Sequence, residues 1–307
     1  MSTLLQQLIN GLVLGSVYAL IALGYTMVYG ILGLINFAHG ELAMIGALIA
    51  LTTIAALSGF ALPVPLVVAA GLLAAISVCM VLGYAIERIA YRPLRNAPKL
   101  APLITAIGVS IVLQNVAMLI WGRQYLSFPS VLPQGWHELF GARITDIQIA
   151  MLGTAFTLML ALDALVRRTQ LGRAMRATSQ SPQLAGLMGI HADRVISLTF
   201  IIGSGLAAIG GFMVSAYYGL AHYYMGFLLG LKAFSAAVLG GIGQLRGAML
   251  GGLLLGVIES LGAGYIGILT HGFLGSNYQD VFAFFVLIVV LIVRPSGLLG
   301  VQTVDRA

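Results

Sequence analysis

Three polar side chains interrupt an apolar stretch near the start of the chain: Asn36, His39 and Glu41. Amide, imidazole and carboxylate groups can hydrogen-bond a polar solute, and ionisable groups inside hydrocarbon are costly unless paired or hydrated. We therefore interpret them as candidates for lining a polar path, on a helix that is broken at this point. They also fit a helix start, in which Asn36 caps a helix beginning at Phe37 and Glu41 lies at its positive end. The two interpretations are compatible.

Two further charged residues lie deep inside apolar runs, Lys232 and Glu259. Glu259 fits either a pathway residue or the partner of a neighbouring helix, and the sequence leaves both open. For Lys232 we expect its long stem to carry the ammonium to an interface. The amides of Gln114 and Asn115 are expected to hydrogen-bond between helices.

Enzymatic chemistry finds no support in the residue types. The five histidines are scattered without metal-ligand spacing, and the single cysteine, Cys79, can form no cluster. No phosphate-binding loop of the GxxxxGK[ST] type occurs. The sequence therefore predicts no catalytic residue, no metal site and no cofactor, and any ATP-driven step must take place in another subunit.

The composition is that of a membrane protein. Hydrophobic residues make up 60% of the 307 residues and charged residues 8%, against about 25% charged in soluble domains. The mean hydropathy is +1.03. Too few polar side chains remain to cover a soluble globule, and disorder and coiled coils need more charge. The net charge of +6 comes from arginines between apolar runs, which indicates membrane orientation and not nucleic-acid binding.

The apolar runs predict an all-α bundle of eight or nine spans, forming a single transmembrane domain over residues 1–307. Eight spans would result if residues 31–57 were partly re-entrant. The predicted spans cover residues 8–29, 37–57, 63–86, 102–121, 147–166 and 195–218, two crossings in 226–266 with a turn at 240–247, and 281–293. The first run lacks signal-peptide features and is expected to be retained.

Basic residues predict which loops face the cytoplasm. They concentrate in loop 88–99, in loop 167–194 and after residue 293, whereas Arg123 and Arg143 lie in the loop assigned outside. Nine crossings then place the N-terminus outside. Segments 32–48 and 229–245 also share residues at a fixed offset. This similarity predicts an inverted repeat, with shared helix-packing composition as the alternative.

The cytoplasmic loop 167–194 contains a short amphipathic helix. Ser181 and Pro182 are typical of an N-cap and a first helical position, and Gly189 of a left-handed stop. The helix predicted between them has one apolar face, formed by Leu184, Leu187 and Met188. Two turns do not hold alone in water. This face therefore needs a partner, either the protein's own helix ends or a cytosolic subunit with a groove for a short helix.

Strings along nearly the whole chain match one known family. The chain resembles the branched-chain amino acid permeases of ATP-binding-cassette importers, specifically the first of the two permease subunits of the leucine/isoleucine/valine system. The longest matching strings are Gly24-Tyr25-Thr26-Met27-Val28-Tyr29-Gly30-Ile31, Asn36-Phe37-Ala38-His39-Gly40-Glu41, Glu87-Arg88-Ile89-Ala90-Tyr91-Arg92-Pro93-Leu94-Arg95, Ala236-Ala237-Val238-Leu239-Gly240-Gly241-Ile242-Gly243 and Pro295-Ser296-Gly297-Leu298-Leu299-Gly300.

The resemblance implies half of an importer pore in a bacterial inner membrane. It implies three kinds of partner besides membrane lipid: a second homologous permease, two cytosolic ATPases and a periplasmic substrate-binding protein. The family's coupling helix, which docks on an ATPase, falls on Ala185, Gly189 and Ile190. The early Glu of the strict motif is absent, so this assignment rests on position and on the Ala/Gly/Ile pattern.

Three alternatives remain. A related importer permease for urea or short-chain amides shares the Asn-Phe-Ala-His-Gly type of string. A proton-coupled secondary transporter would use Glu41 or Glu259 as the proton carrier and would not depend on an ATPase. The absence of a catalytic cluster argues against a membrane enzyme.

Overall fold

The structure is a computed structural model that describes residues 2–60, 62–95, 97–98, 100–129, 135–269 and 278–300. The described chain is predominantly helical. The helices are, in chain order, α1 (Ser2–Leu32), α2 (His39–Leu57), α3 (Val64–Ile86), α4 (Leu100–Trp121), α5 (Asp146–Arg168), α6 (Gln170–Gln180), α7 (Pro182–Leu187), α8 (Ala192–Tyr218), α9 (Met225–Gly240), α10 (Leu245–Leu269) and α11 (Gln279–Val293). A π-helical turn, Glu87–Tyr91, and a 3₁₀ turn, Arg92–Leu94, extend α3.

The predicted all-α membrane bundle is confirmed. Within the described residues, seven helices are long and apolar enough to cross a membrane, and α9 and α11 are shorter apolar helices. Each of the nine predicted spans therefore corresponds to one helix. The predicted turn between the last two crossings of segment 226–266 is present, since α9 ends at Gly240 and α10 begins at Leu245.

Two short antiparallel strand pairs lie between the helices. Strand β1 (Leu126–Ser127) pairs with β4 (Leu220–Ala221), and β2 (Trp136–Leu139) forms a hairpin with β3 (Ala142–Thr145). The side-chain amide of Gln6 in α1 donates to the Arg143 carbonyl at 2.9 Å and accepts from the Arg143 backbone N–H at 2.8 Å. The start of α1 therefore lies at the same end of the bundle as the loop that the charge pattern assigns outside.

Helices α1, α2 and α8 form the centre of the bundle. Their largest fully buried side chains include Leu20, Leu42 and Phe200. By contrast, α4 and α11 turn apolar side chains outward, with Leu119 and Ile292 more than three-quarters exposed. Such outward apolar faces suit contact with lipid.

Glycines bring α1 and α10 into backbone contact. A Cβ atom on Gly256 would lie 2.2 Å from the Gly15 backbone nitrogen, and one on Gly11 would lie 2.6 Å from the Val257 Cα. Close approach through small residues replaces the hydrophobic effect as the main source of helix packing in membranes. These glycines therefore act in packing.

The chain reverses direction sharply between α1 and α2. The first residue of α2, His39, lies beside Gly24, because a Cβ on Gly24 would be 2.2 Å from the imidazole Nε2. Gly24 is about two turns before the end of α1 at Leu32. The non-helical segment 33–38 therefore runs back along the last turns of α1 before α2 begins. The predicted break is present.

The predicted repeat does not correspond to repeated structure. Segment 32–48 consists of a break followed by helix α2, whereas segment 229–245 consists of helix α9 followed by a break. Most of the matching pairs therefore differ in conformation, although Leu32/Leu229, Leu42/Leu239 and Leu48/Leu245 are helical in both segments. Shared helix-packing composition, rich in Leu and Gly, accounts for the similarity.

Candidate functional site

Asn36 organises the break before α2, but not as the predicted N-cap. Helix α2 begins at His39, and its N-cap residue Ala38 makes no side-chain capping bond. The Asn36 side-chain oxygen instead accepts from the Ala38 backbone N–H at 3.1 Å and from the Tyr91 hydroxyl at 3.0 Å. The prediction of a helix starting at Phe37 is therefore wrong by two residues, because Asn36 bonds its own backbone in a local turn.

His39 is buried between α1 and α8. The absence of a side chain on Gly24 leaves space for its imidazole, and Gly203 of α8 faces the same ring. The Tyr25 ring meets the imidazole edge-on at 4.8 Å between centroids. The side chain is 1% exposed. His39 therefore lies where α1, α2 and α8 meet.

Glu41 joins α2 to α4. One carboxylate oxygen, Oε1, accepts from the Ser110 hydroxyl at 2.9 Å and from the Gln114 amide at 2.7 Å. Its position in the first turn of α2 also suits a negative charge. The predicted interhelical role is confirmed for Gln114. It is wrong for Asn115, whose amide donates to the Ile111 carbonyl of its own helix.

Helix α9 approaches the other side of Glu41 through glycines. A Cβ on Gly226 would lie 2.5 Å from Glu41 Oε2, and one on Gly230 would lie 3.0 Å from the Gly40 Cα and from the Tyr25 hydroxyl. Any larger residue would push α9 away. The carboxylate is therefore enclosed by α2, α4 and α9.

Glu259 pairs with a neighbouring helix. Its Oε1 lies 2.7 Å from the ammonium of Lys232 on α9, and Asp280 of α11 contacts the same ammonium at 2.7 Å. Glu259 is 1% exposed. The sequence expectation for Lys232, a stem that carries the ammonium towards an interface, did not include these two carboxylate partners. This charged triad joins α9, α10 and α11.

The short helix predicted in the cytoplasmic loop is present as α7. The Ser181 hydroxyl caps it by accepting from the Leu184 backbone N–H at 3.2 Å. Gly189 ends it with a φ of +80°, and the Ile190 N–H closes the last turn on the Ala185 carbonyl at 3.0 Å. Sequence reasoning therefore identified both ends of this helix.

The apolar face of α7 is open. Leu184, Leu187 and Met188 are 63%, 83% and 84% exposed, whereas Ala185 on the opposite side is buried. The described helix ends of this chain therefore do not cover the face. Of the two partners considered for this face, the protein's own helix ends are therefore excluded within the described residues, and a separate subunit remains.

A polar network anchors the chain just after α7. Asp193, in the first turn of α8, forms ion pairs with Arg92 and Arg95. Arg95 also pairs with Glu87, which is fully buried and accepts from the Ser197 hydroxyl at 2.6 Å. Burial lowers the pKa of the Arg95 guanidinium, and the adjacent Glu87 carboxylate partly offsets this.

The four pathway candidates fall into two groups. Asn36, His39 and Glu41 lie together at the start of α2, as their spacing predicts, while Glu259 lies in the charged triad with its own partners. Sequence reasoning did not select Tyr91 or Ser110, because neither differs from an ordinary helix residue until its partner is known. Asp280 was missed for the same reason.

A bundle of apolar helices that buries several ionisable groups defines a multi-pass membrane protein. Comparison with known proteins identifies its family. The family model described as "Branched-chain amino acid transport system / permease component" matches residues 7–291. The chain belongs to this family and is a multi-pass inner-membrane protein, not an enzyme.

Several full-length relatives carry the same description. The high-affinity branched-chain amino acid transport system permease protein LivH of Salmonella typhimurium is 48% identical, over 98% of this chain and 97% of its own. The LivH of Escherichia coli K12 is 47% identical over the same shares. The corresponding BraD of Pseudomonas aeruginosa is 48% identical, again over 98% and 97%.

Among solved structures, PsaBC from Streptococcus pneumoniae in complex with Fab aligns with a TM-score of 0.43 and 13% identity. The alignment covers 96% of this chain and 91% of that one. A likeness this weak carries no argument about function.

Proposed function

We propose that this chain forms half of the translocation pathway of an ATP-driven importer for branched-chain amino acids. A second homologous permease supplies the other half, two cytosolic ATPases drive transport, and a periplasmic binding protein delivers the amino acid. The substrate class follows the names of the relatives, which cover nearly the whole chain.

The open face of α7 is the observation that supports an external drive. Three large apolar side chains are exposed in a loop that the basic residues assign to the cytoplasm. Water does not stabilise a two-turn helix with such a face, whereas a groove on a partner would cover it. The coupling segment therefore comprises Ser181, Leu184, Ala185, Leu187, Met188, Gly189 and Ile190.

The test is uptake of labelled leucine into proteoliposomes. We expect uptake only when this chain is reconstituted with its co-purifying subunits and ATP. Gradient-driven uptake by the chain alone would overturn the proposal in favour of a secondary transporter. If leucine does not move but urea does under the same conditions, the substrate class is wrong and the importer architecture stands.

For the pathway we propose the polar groups at the start of α2, together with Glu259. Glu41→Gln tests this, because glutamine keeps an acceptor for Ser110 and Gln114 while removing the charge. We expect uptake to fall about tenfold or more with assembly unchanged, as for loss of a charge-assisted contact. Glu138→Gln, in the exposed hairpin, is the matched control. Unaltered uptake by Glu41→Gln would leave the carboxylate with a structural role alone.

A further inference from the structure

A cavity of about 400 Å³ opens at the end of the bundle opposite α7. Helix α8 begins close after α7 and ends at Tyr218, which lines this cavity. The neighbouring loops close one side, since His222 Nε2 lies 3.1 Å from the Arg123 carbonyl. The cavity therefore faces the side assigned outside, from which an importer receives its cargo.

The walls of the cavity are of two kinds. Aliphatic side chains come from α1 and α9, among them Leu14, Val17 and Leu228. Tyrosines, including Tyr218 and Tyr224, line the rest. Cavities of this size with apolar walls and a few polar groups are typical of small-molecule sites. These walls can accept an aliphatic side chain.

Lys232 is the member of the charged triad that lines the cavity. Its ammonium lies between the carboxylates of Glu259 and Asp280. An ammonium has three donors, and Glu259 Oε1 accepts one of them at 2.7 Å. Tyr18 lines the cavity beside it, with its ring centroid 5.8 Å from the ammonium.

The cavity wall presents the Lys232 ammonium and, around it, the faces and edges of several tyrosine rings. A ligand with one pole of each sign can place its carboxylate at Lys232 and its ammonium against the tyrosine rings. A ligand with a single charge lacks one of these two attractions. The wall therefore suits a zwitterion.

We propose that this cavity binds the amino-acid cargo, with the zwitterionic head group at Lys232 and the aliphatic side chain against Leu14, Val17 and Leu228. The inference rests on the proposed function and adds the place where this chain holds its cargo. It also assigns Glu259 a role in setting the charge of the site.

Filling the cavity tests the aliphatic wall. Leu228→Trp places a larger side chain in the cavity, and Leu254→Trp is the control, since Leu254 on α10 is 42% exposed against 52% for Leu228 and lies outside the cavity wall. In the complete importer, Leu228→Trp should lower leucine uptake about tenfold and valine uptake less, because a pocket discriminates by single methylenes. An unchanged leucine-to-valine ratio, at any rate of uptake, would overturn the proposal.

The head group is tested by binding to the purified importer without its binding protein. Leucine should displace labelled leucine about tenfold better than leucinol, which lacks the carboxylate. The double variant Lys232→Gln/Glu259→Gln keeps the net charge and should lose this preference. An unchanged preference in the double variant would overturn the proposal.

The two proposals fail separately. If the wild-type importer takes up leucine with ATP but binds none in this assay, the cavity proposal is wrong and the proposed function stands. If the wild-type importer takes up no leucine, the proposed function fails first, and the assignment of this cargo to the cavity fails with it.

Discussion

Replacing the two most exposed apolar side chains of α7 with aspartate should uncouple the permease from its ATPase. Leu187 and Met188 are 83% and 84% exposed in the isolated chain. Burying a side chain of this size in a partner contributes about 1.5–3 kcal/mol. Leu187→Asp/Met188→Asp therefore removes about 3–6 kcal/mol of association energy, or roughly a hundredfold to ten-thousandfold in affinity.

The same change should cost the isolated chain little. Neither side chain is packed inside it, and the unfavourable effect of an acidic residue near a helix C-terminus is about 0.3–1 kcal/mol. Membrane insertion and the thermal midpoint of the purified permease should therefore stay close to wild type. A large loss of association energy with a small loss of stability would therefore indicate that these side chains act in docking and not in folding.

The assay is co-purification of the ATPase subunits with the tagged permease, followed by leucine-stimulated ATP hydrolysis in proteoliposomes. The control Gln170→Asp/Arg173→Gln changes the net charge by the same two units on exposed residues of α6 in the same loop. We expect loss of co-purification and stimulation in the α7 variant and neither loss in the control. Wild-type association and uptake in the α7 variant would refute the coupling role.

Two further predictions concern packing. Gly256→Val should destabilise the fold by at least about 1–3 kcal/mol, because its side chain would meet the Gly15 backbone. The control is Gly153→Val, where a Cβ meets open space, and its thermal midpoint should stay near that of the wild type. Equal thermal midpoints for Gly256→Val and Gly153→Val would contradict the packing argument. Arg95→Ala should cost about 3–5 kcal/mol by leaving the buried Glu87 carboxylate without its cation. Adding Glu87→Gln should recover part of this loss, measured by thermal unfolding. If the stability losses of the two single variants simply add in the double variant, the pairing is contradicted.

Local signals in the sequence predicted the elements that depend on local physics. The ends of α7 follow from Ser181 and Gly189, because a hydroxyl cap and a left-handed glycine act within a few residues. The spans follow from apolar length alone. The start of α2 was misplaced because Asn36 had two backbone geometries open to it, a helix cap and a local turn.

Partners between helices could not be predicted from one sequence. Lys232 lies 27 residues from Glu259 in the chain, and Tyr91 lies 55 residues from Asn36. Only the packing of the helices decides which distant groups meet. For Lys232 the sequence predicted the direction of a long cationic stem but not the carboxylates of α10 and α11 that hold its ammonium.

The π-helical turn Glu87–Tyr91 connects the two regions to which function is assigned. At one end, Glu87 holds the first turn of α8, just after α7, through Ser197 and Arg95. At the other end, Tyr91 holds the break before α2 through Asn36. Single π turns inside helices are frequent at functional sites. Because one turn carries both contacts, we expect a displacement of the first turns of α8 to strain either the buried Glu87 contacts or the Asn36 bond at the break before α2.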